Sequence, residues 1–583
     1  MDPIKVDFTK KGKAGVRKPA HTGIKQVICI LGALVGAAIS YYFYLPPINL
    51  KSFELYIWLG MIIGIYLVLT VITSGMIMSP DYTPYAKKKA IPPVIIAGII
   101  ALVVGVCYLP SCVFFRAESY SKIISVDESK TFTGDIEEVN FKSVPILDKE
   151  AAEALAKRTL GDLSDQVSQF EVGTDFTQIN YKENPFKVTT LAYGDIFKWL
   201  KNTSSGFPGY IRVNMVTQKA DFVRTDEAGL GFGNIRYSTY EHFQKYLKRH
   251  VRFEYPTYLL GKATFEIDEK GYPYWFVPVE DKTVGVFGGT DVKGVLIVDA
   301  ITGEITEYTV DDVKSNKELQ WIDGIFSADL LVQQYNYHGK YSGGFWNYYI
   351  TQTGVKVATE GSNYLAIDDD VYMYTGVTSA GQDQAIIGFV MVNMRTKEAN
   401  YYAVSGAKEY SAMTSANGAL QNYEYQATFP ILLNISGQPT YFMSMLDDSK
   451  LVKMYAMVNV TSYQVVATGE SIAECMTRYV SQLKANNIII DVDVEQIEKD
   501  ENAAQNDDTD LKVIKGTVTD IRTAVIDGDS VYYIKLDSSK AYFSVKAAEA
   551  EKVVILNTGN KVSMKADTDE GDIIAVKSFE IVK

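Results

Sequence analysis

Three long apolar runs, at residues 26–45, 55–78 and 91–115, stand out at the start of the chain. Each is about 20 residues or longer and has no charged side chain, which is the length that the hydrocarbon core of a bilayer requires of a helix. Aromatic residues stand at their ends, where interfacial anchors of membrane helices are found. The pattern predicts a membrane domain with three transmembrane helices at residues 1–118.

Basic residues flank these runs unequally. Lys87, Lys88 and Lys89 lie between the second and third runs, whereas Lys51 is alone between the first and second. Seven more precede or open the first run: Lys5, Lys10, Lys11, Lys13, Arg17, Lys18 and Lys25. Because cytoplasmic flanks carry an excess of Lys and Arg, we expect a cytoplasmic N-terminus and an extracellular chain after about Arg116. Further spans follow the first run, so we expect it to be retained rather than cleaved as a secretion signal.

The interiors of the three runs contain no Asp, Glu, Lys, Arg or His. Transport pathways usually place such groups at membrane depth. The runs therefore favour an anchor or a partner-binding bundle over a transporter.

Beyond the membrane domain one short pattern recurs four times: Val followed by Asn or Asp, then a polar turn, with strand-forming residues on both sides. The Asn or Asp of the four copies is Asn214, Asp299, Asn393 and Asn459. Each copy predicts a β-hairpin in which this side chain hydrogen-bonds the backbone of the turn. Since the residue serves the same turn four times, we predict a structural role for it rather than a catalytic one.

Another candidate strand precedes each hairpin, and amphipathic helices separate the units. The strands cover 186–191, 274–277, 371–374 and 440–443. Helices are predicted at 150–160 behind Asp148, from the Ser238-x-x-Glu241 capping box to about His250, and after a second box at Ser471-x-x-Glu474. Residues 119–490 are thus predicted as an extracytoplasmic α+β region of repeated helix-plus-antiparallel-meander units.

One of these units resembles a PepSY domain. Its segments Pro273-Tyr-Trp-Phe-Val277 and Gly294-Val-Leu-Ile-Val298-Asp299-Ala-Ile-Thr302-Gly303-Glu304 are similar to strands of that small α+β family, which often ends in a Val-Asp-x-x-Thr-Gly-Glu hairpin. The other copies lack the glycine, and the fourth also shifts the threonine. The resemblance implies non-catalytic modules that inhibit or chaperone proteases, or act in envelope sensing.

The whole layout also resembles an uncharacterised Gram-positive membrane-protein family with three N-terminal transmembrane helices and a large exterior. That resemblance implies a location in the bacterial cell membrane and no particular activity.

The C-terminal part begins with residues 491–511, which are rich in Asp, Glu, Asn and Gln and predict a solvated acidic linker. Residues 512–583 then resemble an OB-like β-barrel of five strands, at 512–523, 530–536, 541–545, 561–566 and 572–581. Many OB barrels bind single-stranded nucleic acid through basic grooves. This module has 11 basic and 11 acidic residues, so we expect protein or glycan contact, or a spacer role, and no nucleic acid.

Charge divides the chain as hydropathy does. Residues 1–118 contain 12 basic and 5 acidic residues, whereas the remainder contains 45 and 65. An acidic exterior disfavours nucleic-acid partners. It suits solubility beside an anionic envelope, or the binding of divalent cations or a cationic partner.

Cysteine usage points to the same compartment. The exterior has only Cys475, whereas an animal exterior of this size is usually stapled by disulfides, so the composition favours a bacterial envelope. Cys107 and Cys112, at the end of the third run, are expected to stay unpaired.

No group of residues has the spacing of a known chemical site. His242 and His250 lie two helical turns apart and out of mutual reach, and Asp368-Asp369-Asp370 lacks the spacing and glycine of an EF-hand. Gly229-Leu-Gly231-Phe-Gly233 has no βαβ context and is expected to be a loop. We therefore predict no catalytic, cofactor-binding or metal-ligating residue and no cofactor. The Tyr-rich runs 335–341 and 345–349 are expected in the core, with a glycan or protein site as the alternative.

These features predict a membrane-anchored, non-catalytic extracytoplasmic envelope protein that binds or scaffolds another envelope protein or a wall component. A homo-oligomer is left open. The sequence is also compatible with two alternatives: a ligand-binding or sensor ectodomain, and a glycan-acting hydrolase. The hydrolase requires two carboxyl groups about 5–9 Å apart in one cleft.

Overall fold

The computed structural model describes residues 18–582, apart from 140, 142–143, 162–167, 368–369, 382–384, 489–511, 527–528, 548–549, 567–572 and 577. The chain divides into two compact bodies, residues 1–501 and 502–583. The predicted linker at 491–511 lies outside the described residues.

Three helices near the N-terminus are long and apolar enough to cross a membrane: α1 (Thr22–Tyr44), α2 (Phe53–Ser74) and α3 (Thr83–Tyr108). The prediction of three apolar spans is confirmed. The other α-helices described in residues 1–501 are α4 (Val113–Ser121), α5 (Phe132–Asp135), α6 (Lys149–Gly161), α7 (Ile196–Asn202), α8 (Leu247–Glu254), α9 (Val310–Ser315), α10 (Ala328–Tyr341), α11 (Glu409–Ala419) and α12 (Ile472–Ala485).

The predicted bounds of the third span are wrong. The Ser79 hydroxyl accepts a hydrogen bond from the Asp81 amide at the start of the helical stretch, so α3 begins before residue 91 and contains Pro92 and Pro93. The span tightens into a 3₁₀ turn at Leu109–Ser111, where Pro110 has no amide hydrogen to continue the helical ladder. The predicted end at residue 115 therefore falls in a separate helix, α4.

Lys25, in α1, and the lysines at 87–89, in α3, lie at one end of the helical bundle. The Lys89 amine on α3 donates to Gln26 Oε1, near the start of α1, at 2.5 Å. Residues 45–52 and 109–112 lie at the opposite end. That end contacts residues 113–488 of the same body. This region contains four repeated units, and we call it the four-unit domain.

The four-unit domain repeats one arrangement, a helix followed by a five-stranded antiparallel sheet. In each sheet the long third strand pairs with the first, second and fourth strands, and the fifth strand pairs with the fourth. The predicted α+β class is confirmed, and all four predicted hairpins and the four strands before them are present. A two-residue strand, β1 (Val126–Asp127), extends the third sheet in parallel.

The strands of the first unit are β2 (Phe170–Val172), β3 (Thr177–Tyr181), β4 (Asn184–Tyr193), β5 (Gly209–Asn214) and β6 (Ala220–Arg224). Those of the second are β7 (Leu259–Leu260), β8 (Thr264–Ile267), β9 (Pro273–Val284), β10 (Gly288–Asp299) and β11 (Ile305–Thr309).

The third unit has β12 (Lys356–Ala358), β13 (Asn363–Ile367), β14 (Asp370–Ser379), β16 (Gly388–Asn393) and β17 (Ala399–Tyr402), plus a small pair, β15 (Ala385–Ile386) and β18 (Gly406–Ala407). The fourth has β19 (Gln426–Ala427), β20 (Ile431–Ile435), β21 (Gln438–Leu446), β22 (Val452–Asn459) and β23 (Val466–Gly469).

Strand register aligns the four units residue by residue. The Asn or Asp of each hairpin faces Phe186, Tyr274, Tyr372 or Thr440 across the sheet. The next position on the long strand is buried in every unit, and it is occupied by Lys187, Trp275, Met373 and Tyr441. The first unit therefore places an amine where the others place a large apolar or aromatic side chain.

Two arginines of α8 join the four-unit domain to α1. Arg249 Nε donates to the Tyr42 carbonyl at 3.0 Å, and Arg252 Nε donates to the Leu45 carbonyl at 3.2 Å. Arg252 is almost fully buried and also donates to the Tyr258 carbonyl at 2.6 Å. Because the last carbonyls of a helix lack partners within it and carry partial negative charge, the two guanidinium groups stabilise the end of α1.

A hairpin tip of the second unit packs against the ends of α2 and α3. The Ser111 hydroxyl accepts from the amides of Val286 at 2.9 Å and Phe287 at 3.3 Å, and the Phe287 ring stacks on Phe53 at 4.4 Å between centroids. A Cβ on Gly288 would lie 2.1 Å from the Tyr120 hydroxyl, so the close approach requires glycine there. The membrane helices are thus joined to the second unit at two places.

The C-terminal body, residues 502–583, contains a curled six-stranded sheet. Its strands are β24 (Lys512–Ile526), β25 (Asp529–Leu536), β26 (Tyr542–Lys546), β27 (Lys561–Ala566), β28 (Ile573–Ala575) and β29 (Ser578–Val582). The predicted count of five is wrong because the last predicted strand is split: β28 pairs in parallel with β26, whereas β29 pairs antiparallel with β27.

Candidate functional site

The recurring Asn and Asp residues hold their turns together. Oδ1 of Asn214, of Asp299 and of Asn393 each accepts two backbone amides of the following turn at 2.8–2.9 Å. Asn459 accepts one amide, from Ser462, at 2.7 Å in a turn of different length. The predicted structural role is confirmed for all four.

An open groove lies between the second and third units. It has a volume of about 750 Å³. One wall comes from β10, the end of β11 and α9, and the other from β1 and the turn between β16 and β17. In the described part of the chain, β11 and β1 each form one edge of their sheet. We call this cavity the inter-unit groove.

Charged side chains of both signs line the inter-unit groove. The basic members are Lys293, Lys314 and Lys397, and the acidic members are Asp127, Asp291, Asp311 and Glu398. Lys293 and Lys314 are exposed, whereas the Lys397 and Asp291 side chains are only 14% and 24% exposed. The groove therefore has an ion pair at its floor and exposed charges at its rim.

The ion pair connects the two units. Lys397 Nζ lies 2.8 and 2.7 Å from the two carboxylate oxygens of Asp291, and Gln334 Nε2 donates to the same carboxylate at 3.0 Å. Burial lowers the pKa of Lys397, and the Asp291 carboxylate opposes that shift. The Lys397 backbone is left-handed, with φ of 64°, at the position that Gly303 occupies in the second unit.

The carboxyl groups whose pKa is raised by burial lie away from the inter-unit groove. They are Asp148, Glu266, Glu280 and Glu409. The Asp291 carboxylate, in contrast, accepts from a cation and an amide.

The histidines singled out in the sequence lie apart. His242 packs edge-on against Trp199 at 5.1 Å between centroids, and His250 Nε2 lies 2.7 Å from the Gly303 carbonyl oxygen. They do not share a helix, because α8 begins only at Leu247. Glu241 does not cap a helix: its carboxylate accepts from Tyr193 at 2.7 Å and Trp199 at 2.9 Å.

Other sequence candidates have structural partners. Asp370 pairs with Arg395 at 2.6 Å, while Asp368 and Asp369 lie outside the described residues. The glycine-rich segment 229–233 is a loop, as predicted. The four cysteines are free, and Cys475 is buried, which raises its pKa to about 12. Among the described residues, no three His, Cys, Asp or Glu side chains come together as a metal site.

The Tyr-rich runs divide between two environments. Tyr335 and Tyr341, on α10, are buried, whereas Trp346 and Tyr349 are exposed beside Phe114 and Phe345. Sequence reasoning missed the inter-unit groove because its ion pair joins residues 106 positions apart.

No protein-family model and no curated protein matches the chain.

Proposed function

We propose that the chain is a membrane-anchored, non-catalytic envelope protein that binds another envelope protein in the inter-unit groove. The observation that carries this proposal is an open, charged groove lined by β1 and by the end of β11, each of which forms an edge of its sheet. Edge strands present unpaired backbone groups that an extended segment of a partner pairs with. Exposed Lys293 and Lys314 then contact the side chains of that segment.

The proposal includes an orientation and two family resemblances. By the excess of basic residues at the end of the bundle near Gln26 and Lys89, that end is cytoplasmic and the four-unit domain is extracellular. The repeated helix and sheet support PepSY-like units, which suit a role in binding proteins rather than in catalysis. The curled C-terminal sheet supports an OB-like module that contacts a protein or a wall glycan, or acts as a spacer.

A photo-crosslinking experiment in intact cells tests the groove. A benzophenone amino acid replaces Lys314 at the groove rim or, as a matched control, exposed Tyr463 in the fourth unit. We expect mass spectrometry to find a reproducible envelope protein attached at position 314 and absent at position 463. Failure to recover any protein from position 314, or recovery of the same set from both positions, would contradict the proposal.

The volume of the groove also favours a second candidate, a ligand-binding or sensor ectodomain. About 750 Å³ lies within the range of small-molecule sites. A thermal-shift screen of the purified full chain with wall fragments, short peptides and calcium discriminates the two. A shift that disappears in the Asp291→Asn variant favours the sensor, whereas unchanged melting with every compound excludes it.

A further inference from the structure

Apolar side chains are concentrated on two small surfaces of the four-unit domain. The first, which we call the α7 shoulder, comprises Ile196, Phe197 and Leu200 of α7 with Phe243 and Phe253. The second, the aromatic shoulder, comprises Trp346, Tyr349 and Ile350. In the described part of residues 119–488, every exposed Ile, Leu, Met, Phe, Trp or Val except Leu230 belongs to one of the two. Clustered exposure of this kind marks an interaction surface.

The α7 shoulder is continuous with the end of α1. Phe253 stacks on the Tyr41 ring, with 6.2 Å between centroids and 6° between planes, and also contacts Tyr42. Phe243 packs on Trp199 at 5.5 Å, and its carbonyl accepts from Arg249, the residue that also holds the Tyr42 carbonyl. The shoulder thus extends the aromatic end of a membrane helix sideways.

The aromatic shoulder is continuous with the end of α3 in the same way. Phe114 stands three residues beyond the membrane-length helical stretch that ends at Ser111. Its ring contacts Phe345 at 4.9 Å and Trp346 at 5.8 Å in edge-on geometry. Trp346 is 61% exposed and Ile350 is 69% exposed. This surface therefore begins where the third membrane helix ends.

We propose that both shoulders insert into the lipid leaflet on the side of the four-unit domain. A leaflet surrounds the bundle on all sides, so it covers surfaces next to α1 and next to α3 at once, and Trp is enriched at the level of the lipid headgroups. Interfacial elements of this kind bury their apolar face about 5–10 Å into the headgroup and acyl boundary. Exposed Lys201 and Lys248 flank the α7 shoulder, where they reach lipid phosphates.

The insertion has a mechanical consequence. The four-unit domain is already joined to the membrane helices at two places, and two lipid contacts further restrain its tilt above the membrane. The inter-unit groove is then held at a set orientation to the bilayer. The lipid contact does not depend on what the groove binds.

Fluorescence quenching in nanodiscs tests the insertion on the full chain. The lipids are phosphatidylcholine and phosphatidylglycerol brominated on the upper part of the acyl chain, and acrylamide is the aqueous quencher. The Trp346 signal is the difference between the wild type and the Trp346→Phe variant. In the Trp346→Phe background, Phe197→Trp reports on the α7 shoulder, and Tyr423→Trp is the control at an exposed aromatic position of the fourth unit.

We expect brominated lipid to remove most of the emission at positions 346 and 197 and to leave position 423 unchanged. Acrylamide should give the opposite pattern. Emission at 346 and 197 that acrylamide quenches and brominated lipid does not would overturn the proposal, since the shoulders then face water. Protection from both quenchers would also overturn it, because the shoulders are then covered by protein in a second copy.

Discussion

The second and third units make the same hairpin turn with different residues at its left-handed position. Gly303 has φ of 82° and Lys397 has φ of 64°, and each amide donates to the carbonyl of the Asn or Asp four residues earlier at 2.9 Å. The turn therefore requires a backbone conformation and not a glycine. Where there is open space beside this position, a residue with a side chain fits, and the side chain of Lys397 reaches Asp291.

The surroundings of the two turns explain the difference. A Cβ on Gly303 would lie 2.4 Å from the Tyr237 ring, and the Gly303 carbonyl oxygen lies 2.7 Å from His250 Nε2. The second turn is thus packed against the helix that holds α1. The third turn instead faces the inter-unit groove. One repeated scaffold serves attachment in one copy and the candidate binding site in the next.

Exchange of the residue types should have its largest effect in the second unit. Gly303→Lys adds the cost of a left-handed backbone and an overlap with Tyr237, so we expect a loss of about 3–4 kcal/mol in the free energy of unfolding. Urea titration of the full chain in detergent micelles measures it. Gly354→Lys is the control, since Gly354 also has positive φ but a Cβ added there would meet open space, and a loss of about 1 kcal/mol is expected. Equal losses for both variants would refute the packing argument.

The first unit differs from the other three in its core, where Lys187 occupies the position of Trp275, Met373 and Tyr441. Burial lowers the pKa of Lys187 from 10.5 to about 8, so Lys187→Met, the residue type of the third unit, should stabilise the chain by about 2–3 kcal/mol at pH 7. Above pH 8 the folded state releases this proton before the unfolded state does, so wild-type stability rises with pH. The advantage of the variant should therefore shrink between pH 8 and 10.

Urea titrations at several pH values measure this trend, with exposed Lys219→Met as the control. A gain at Lys187 that stays constant with pH would contradict the assignment to the buried amine.

Loss of the groove ion pair should have a smaller effect. Asp291→Asn leaves the amine of Lys397 largely buried without its carboxylate, and we expect a loss of about 2 kcal/mol. Lys397→Met in the same chain removes the stranded cation and should restore part of that loss. A double-mutant cycle measures the coupling, and strictly additive losses would show that the two residues do not interact.

The smallest expected effect concerns the backbone of the third turn. Lys397→Gly and Lys397→Ala both remove the amine, but glycine adopts positive φ without strain. The glycine variant should therefore be more stable than the alanine variant by about 1 kcal/mol. Comparison of the two urea midpoints decides it, and an alanine variant as stable as the glycine variant would show that the turn relaxes.

Local sequence signals predicted what local physics decides. The Ser471 hydroxyl accepts from the Glu474 amide at 3.1 Å and opens the predicted helix α12, in which Ile472, Met476, Tyr479 and Leu483 are buried. The equivalent motif at Ser238-x-x-Glu241 wrongly predicted the start of a helix, since α8 begins only at Leu247. There Tyr193 and Trp199, from distant parts of the chain, bind the Glu241 carboxylate, so a tertiary contact replaced the cap.

The sequence by itself determined the three apolar helices, the four hairpins and the α+β class, because span length, alternation and turn chemistry are all encoded within a few neighbouring residues. Only the tertiary structure decided where these pieces meet. The arginines that hold α1, the groove with Lys397 and Asp291, and the two shoulders join residues tens to hundreds of positions apart. Such contacts depend on how the repeated sheets pack, and hydrophobic periodicity does not record that packing.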